Sequence, residues 1–178
     1  SLKYFLLGSL ASCILIYGVS LVYVSFSVFS VYNFALGLAY VGPDSVPLTT
    51  SIGVLLIFIG LLFKIAAAPF QSWAPDVYQG SPTGYVGFMS SIAKASSFIV
   101  IARLCLVSIN FIIEDFNIFF LIVIISSALI GSLFASIQED LKRLLAYSGV
   151  VQSGFILSGI VSGINGTSAS MFLSLIHI

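Results

Sequence analysis

At 178 residues the chain is 60% hydrophobic, only 7% charged and formally neutral, with six basic and six acidic residues. A soluble domain averages about 25% charged residues, and no soluble fold of this length could keep so much apolar surface from water, so lipid is its solvent. The same balance excludes the basic footprint that nucleic acid demands. Two isolated cysteines, Cys13 and Cys105, and one histidine, His177, offer neither a disulfide framework nor a metal site.

Apolar runs of about 20 residues, enough to cross roughly 30 Å of hydrocarbon, succeed one another between turn-rich stretches. The first runs from about Tyr4 to Val24, with one basic residue before it and further spans after it, which argues against a cleavable signal peptide. The second extends from about Pro47 to near Pro69. The third starts at the Ser81-Pro82 pair, read as N-cap and first helical residue, and ends near Val107. Asp115 is placed to cap a fourth, about Phe116 to Ile137, and a fifth follows at about Asp140 to Val161. After Gly163-Ile164-Asn165-Gly166 a sixth begins near Thr167 and is unfinished at Ile178. The expected fold is an all-α polytopic membrane protein, with about five complete transmembrane helices and the start of a sixth in one transmembrane domain over residues 1–178. Alternate crossings place Lys3, Asp76, Glu139, Asp140, Lys142 and Arg143 on one side and Asp44, Glu114 and Asp115 on the other. By the positive-inside rule the side with the loop lysines and arginine faces the cytoplasm or a mitochondrial matrix.

Two lysines fall at hydrocarbon depth: Lys64, about 17 residues into the second span, and Lys94, about 12 residues into the third. At about 1.5 Å per residue each lies roughly 18 to 25 Å from its helix start. A lysine at the bilayer centre costs about 2.5 to 3.5 kcal/mol on insertion scales. Arg103, close to the end of the third span, reads as a cation that snorkels to the interface, and snorkelling is the alternative for both lysines. Their functional reading is proton handling. Desolvation disfavours the charged form of a lysine, so a buried one beside a switchable charge or a water wire can load and release a proton near neutral pH.

Pro69 belongs to the same argument. It has no N–H, so the carbonyl of Ile65 loses its helical partner, and in lipid a freed carbonyl must find water, a side chain or another helix. The break favours a small polar cavity beside Lys64; a packing kink is the alternative. In the fifth span and its trailing end Gly149, Gly154, Gly159 and Gly163 are interleaved with Ser148, Ser153, Ser158 and Ser162. That stripe suits close helix packing, with serines free to bond across. Gln152, the only amide in that span, fits a hydrated path or packing equally well. Trp73 and Tyr78 read as interfacial anchors. No Gly-rich phosphate loop, nucleophile with a base or cofactor ligand set occurs, so redox chemistry in the chain itself is not expected.

The run FKIAAAPFQSWAPDVYQGSPT (residues 63–83) resembles the signature of the antiporter-like subunits of respiratory complex I, and its second half is similar to the branch called NADH dehydrogenase subunit 2. KYFLLGS (3–9) and DLKRLLAYS (140–148) agree in the right order. The resemblance implies an antiporter-like fold of fourteen transmembrane helices in two inverted repeats, each with one discontinuous helix. This chain would supply the sixth to tenth helices and the start of the eleventh, with the helix break near Pro69. It implies Lys64 as the proton-channel lysine of the broken helix and Lys94 as the connecting lysine of the next. Gln152, Ser148, Lys142 and Gln71 are the candidate residues lining the path.

The implied function is a proton-translocating, non-redox membrane-arm subunit of NADH:ubiquinone oxidoreductase that binds no cofactor of its own. A subunit of a multi-subunit cation/proton antiporter and a structural membrane-arm subunit that no longer pumps are the alternatives. The implied setting is a mitochondrial inner membrane, or else a bacterial plasma membrane, with other membrane-arm subunits and lipid as partners and no nucleic acid. Some positions depart from the family pattern. Its essential glutamate would fall upstream of Ser1, and its second broken helix beyond Ile178. Gln71 and Gln152 stand where the family often has histidines, and Gly84 where it often has proline. The expectation is a divided or shortened subunit in which another polypeptide places a carboxylate within about 4 to 8 Å of Lys64. The C-terminal helices are a second open contribution, and any path through Gln71 or Gln152 would run on water.

Overall fold

Inside lipid a backbone N–H or C=O finds no water, so an apolar segment pairs these groups within itself and becomes a helix. The computed structural model describes residues 2–28, 30–42, 45–108 and 113–176, in which no strand occurs. Asp44 and His177 lie outside the described residues, as do the side chains of Glu114 and Asp115. The elements are α1 (Leu2–Phe26), α2 (Val31–Val41), α3 (Leu48–Lys64), a 3-10 turn (Phe70–Trp73), α4 (Ala74–Gly80), α5 (Thr83–Phe88), a π-turn (Met89–Ala93), α6 (Lys94–Ser108), α7 (Ile113–Ile137), α8 (Leu141–Val161) and α9 (Ile164–Ile176). Four helical stretches are long and apolar enough to cross a membrane: Leu2–Phe26, Thr83–Leu106, Phe116–Ile137 and Leu141–Val161. These are the expected first, third, fourth and fifth spans.

Several boundaries differ from expectation. The second span stops at Lys64 instead of running to Pro69, which leaves α3 with 17 residues. The third begins at Thr83 with Pro82, not Ser81, at the N-cap. The fourth starts at Ile113, so Asp115 lies within its first turn and does not precede it. The sixth starts at Ile164, ahead of Thr167. Residues 31–41, left among the turn-rich stretches by the sequence, form the apolar helix α2, which buries Phe34 and Leu38 and packs on α6. At 11 residues it is too short to span and serves as a wedge.

α1 and α3 pack closely through a pair of glycines. A Cβ built on Gly18 would fall 2.6 Å from the Gly53 carbonyl oxygen, and one on Gly53 would fall 2.9 Å from that of Gly18. Only glycine permits such an approach, and in lipid, where apolar side chains gain nothing by leaving one another's surroundings, close packing is what holds helices together. α7 and α8 form an antiparallel hairpin and α9 folds back on α8. The central core gathers Phe58 and Leu62 of α3, Ile101 of α6, Phe120 of α7 and Leu157 of α8. Phe58 meets Phe120 edge to face with ring centroids 5.0 Å apart.

Candidate functional site

The helix break is built by the backbone before the proline is reached. Ala66 adopts a left-handed φ of 57°, its N–H donates to the Phe63 carbonyl at 3.1 Å, and the Ala67 N–H donates to the Leu62 carbonyl at 3.1 Å. That pair of bonds is a Schellman ending, with alanine in the position glycine usually takes. α3 therefore closes at Lys64. Beyond it the Ala68 N–H donates to Ser127 Oγ at 2.9 Å, and Ser126 Oγ donates to the Ala68 carbonyl at 3.4 Å. Trp73 Nε1 donates to the Phe63 carbonyl at 3.0 Å. The exposed backbone polarity of the break is thus met by α7 serines and an indole. Residues 65–68 are fully buried, so protein groups meet the backbone polarity of the break itself. Pro69 starts the 3-10 turn.

Lys64 itself lines a cavity of about 560 Å³, together with Phe63 and Trp73. Its walls come from α1 (Tyr4, Ser9, Ser12), from the turn holding Trp73, and from Ser96 and Ser97 of α6. Lys64 is exposed and makes no hydrogen bond or ion pair among the described residues. It is the last residue of α3, where the negative end of the helix dipole favours a cation.

Lys94 is placed differently. It follows the π-turn, is 7% exposed, and its Nζ donates to the Gly149 carbonyl at 3.4 Å. A Cβ on Gly149 would stand 2.8 Å from that Nζ, so the missing side chain is what admits the ammonium. Around it lies a cavity of about 430 Å³ lined also by Tyr78, Lys142, Ser148 and Gln152. Four sequence-predicted residues, Lys94, Lys142, Ser148 and Gln152, are brought together here. From Lys142 to Gly149 along α8 is about 10 Å, at about 1.5 Å per residue. Gln71 lines neither cavity; its Oε1 is buried without a hydrogen-bond partner among the described residues.

At the end where Lys142 lies, the charged side chains assigned to one face of the membrane do meet. Asp76 of α4 pairs with Lys3 of α1 and with Arg143 of α8 at 3.3 Å. Arg143 also donates to Gln79 and Gln138 at 3.0 and 3.1 Å, and the Gln79 amide donates to Asp140. Lys142 Nζ donates to the Ser81 carbonyl at 3.0 Å, tying α8 to the end of α4. The bond from Lys3 holds the Asp76 carboxyl below its ordinary value of 3.8; slight burial opposes this and the charges of Lys3 and Arg143 add to it. Arg103 is exposed on α6.

Two other expectations change. Trp73 and Tyr78 are buried with Ala66, Ala74 and Ala146 in a second core around the break, so they are packing residues, not interfacial anchors. The hydroxyls of Ser148, Ser153, Ser158 and Ser162 each donate to the carbonyl three residues back in α8 and do not reach across. Among the described residues the serines that bond across are Ser25, which meets Thr49 of α3 at 3.1 Å, and Ser126 and Ser127 of α7, which bond Ala68 at the break.

The whole chain, residues 1–178, matches the transmembrane family described as NADH:quinone oxidoreductase/Mrp antiporter, TM. It is 39% identical over its full length to the chloroplastic NAD(P)H-quinone oxidoreductase subunit 2 of Mesostigma viride, covering 36% of that protein. It is 37% identical over 99% of its length to NADH-quinone oxidoreductase subunit N of Hydrogenovibrio crunogenus, covering 37% of it. Among solved structures, a chain of respiratory complex I from Thermus thermophilus with bound aureothin superposes with a TM-score of 0.79 at 33% identity, over 99% of this chain and 36% of that one. The chain thus spans little more than a third of the length of these relatives, and it belongs to the NADH:quinone oxidoreductase/Mrp antiporter transmembrane family.

Proposed function

We propose that the chain forms part of a proton-translocating membrane-arm subunit of NADH:quinone oxidoreductase, with Lys94 and Lys64 as relay groups. The observation that carries this reading is the single cavity that unites Lys94 with Lys142, Ser148 and Gln152. Lys142 marks its charged-face end and Lys94 its interior. Ser148 lies between Lys142 and Gly149 along α8 and Gln152 about one turn beyond, and the hydroxyl and the amide can both donate and accept, as a hydrated proton path requires. A lysine held this deep is expensive to keep charged, so proton loading is linked to anything that changes the charge around it. Lys64, facing the second cavity, is the next station, and a carboxylate brought near it by a neighbouring subunit would set its proton affinity. The chain itself does no redox chemistry in this scheme; quinone reduction elsewhere in the complex supplies the driving force. The mitochondrial inner membrane is the proposed location, supported by the high phenylalanine content, 16 of 178 residues.

Sealed membrane vesicles carrying the assembled complex test the proposal. In Lys94→Met, NADH oxidation by an artificial electron acceptor should continue while quinone-dependent acidification collapses. Acidification at the wild-type rate would end this reading.

A further inference from the structure

Tyr78 belongs to α4, and its ring is fixed among Ala66, Trp73, Ala74 and Ala146. Its hydroxyl is buried and has no hydrogen-bond partner among the described residues. Leaving a buried hydroxyl unpaired costs about 1 to 3 kcal/mol, and such a group in a native fold calls for a reason. Tyr78 lines the Lys94 cavity with Lys142, Ser148 and Gln152. At about 430 Å³ that space has room for several waters, each occupying about 30 Å³ in the liquid. Toward α1, Tyr78 shares its buried cluster with Trp73, whose ring centroid lies 5.2 Å from that of Tyr4, and Tyr4 and Trp73 both line the Lys64 cavity. Deeper in the membrane the π-turn and α6 wall the two cavities apart: Met89, Ala93 and Ser97 line one, and Ser90, Lys94 and Phe98 line the other. Tyr78 is therefore a polar side chain of the Lys94 cavity that packs, through Trp73, against the wall of the Lys64 cavity near the charged face.

We propose that the Tyr78 hydroxyl is a neutral proton-relay station joining the Lys94 cavity to the Lys64 cavity, by way of Tyr4. The inference rests on the relay function proposed above. A phenol oxygen accepts one hydrogen bond while its O–H donates another. A proton arriving on the oxygen forms a new O–H bond as the original O–H bond gives up its proton on the far side, so the ring returns to neutral with nothing oxidised or reduced. Burial of the ring fixes where that exchange takes place.

The test is Tyr78→Phe in the assembled complex in vesicles, with Lys94→Met alongside. Phenylalanine keeps the ring and removes only the unpaired oxygen, so assembly and thermal stability should hold. Quinone-driven proton translocation should fall about a hundredfold, the low end of what a positioned proton-transfer group contributes. The wild-type complex should also show a tyrosine C–OH infrared band that moves on exchange from H2O to D2O and is missing in Tyr78→Phe. Wild-type translocation in Tyr78→Phe, or a band indifferent to D2O, overturns the relay. Should Tyr78→Phe assemble poorly, 3-fluorotyrosine at position 78 keeps ring and hydroxyl while making the phenol more acidic. It shifts the pH profile of translocation if the relay is right and leaves it unmoved if wrong. Translocation lost in Lys94→Met but normal in Tyr78→Phe removes the tyrosine alone; translocation normal in both removes the function on which it rests.

Discussion

Lys64 and Lys94 stand on successive pieces of one membrane unit, yet their surroundings accommodate a cation among apolar helices in opposite ways. Lys94 is enclosed: a glycine makes room for its ammonium, one carbonyl receives it, and the hydroxyl, amide and amine groups of Ser148, Gln152 and Lys142 share its cavity. Lys64 stands at the end of its helix in the larger, open cavity, with serines on the facing walls and no bonded partner among the described residues. The enclosed lysine has its polar surroundings supplied from within the chain. The open one is tolerated by the helix end and is free to answer to a group brought from elsewhere. In such a pair, one member can be tuned by the fold and the other by assembly.

Removing the charges should break this comparison most visibly. Lys94→Met should reduce proton translocation by about a hundredfold or more, the scale of a lost proton-transfer group. It should also raise thermal stability by about 1 to 3 kcal/mol, since an apolar side chain of similar length replaces a desolvated charge. Lys64→Met should leave the melting temperature nearly unchanged, because that ammonium is exposed at a helix end. Equal stability gains in the two variants would show that their burial does not differ.

A second way to separate the two regions is to move the wall of one cavity only. Gly53→Val drives a side chain into the Gly18 backbone and should destabilise by about 3 kcal/mol, at the upper end for overpacking. The displaced α1 lines the Lys64 cavity and not the Lys94 cavity. Amine-reactive labelling of Lys64 should change while that of Lys94 does not. Next in size is Ser127→Ala, which orphans the buried Ala68 N–H beside the break. It should lower stability by about 1 to 3 kcal/mol, read as a melting-temperature shift.

Gly149→Ala sharpens the enclosed side. The new Cβ would lie 2.8 Å from Lys94 Nζ, the mobile end of a long side chain. Helix propensity favours alanine by about 1 kcal/mol, so stability should stay level or rise while translocation slows as the ammonium is displaced. The smallest effect belongs to Asp76 at the charged face. Its carboxyl is held below 3.8 by Lys3 and Arg143. The stabilisation from ionised Asp76 is therefore complete above 3.8 and is lost as pH falls through the lower folded value. Melting curves of wild type and Asp76→Asn should differ at neutral pH, converge in acid, and differ less in high salt, as an exposed pair is screened.

How much of this could be read from residues alone varies by element. The long apolar runs, the two membrane-depth lysines and the sidedness of Lys3, Asp76, Lys142 and Arg143 follow from hydropathy and the cost of charge in lipid. Lys142, Ser148 and Gln152 could be named as path candidates, but only α8 packing against α4 and α6 brings them to Lys94. The end of α3 was legible as a break and misplaced by about one turn. Its signal is a left-handed alanine, which has no residue code, whereas Pro69 is a loud one that sits past the event. α2 was missed because an 11-residue apolar stretch between turns carries no spanning signal. Trp73 and Tyr78 were misread because amphipathic rings favour interfaces on average, and here the break folds them under the chain.

The sequence by itself determined the solvent, the four long apolar helices, and the presence of two cations that lipid would expel unless something held them. These are one-dimensional properties, set by composition and by spacing along a helix. Tertiary structure alone decided which groups surround each lysine, that serines of α7 satisfy the break, and that a buried tyrosine of one cavity packs, through Trp73, against the wall of the other. Each of those depends on side chains from helices far apart in the chain meeting within a few ångströms, and no local pattern encodes that meeting.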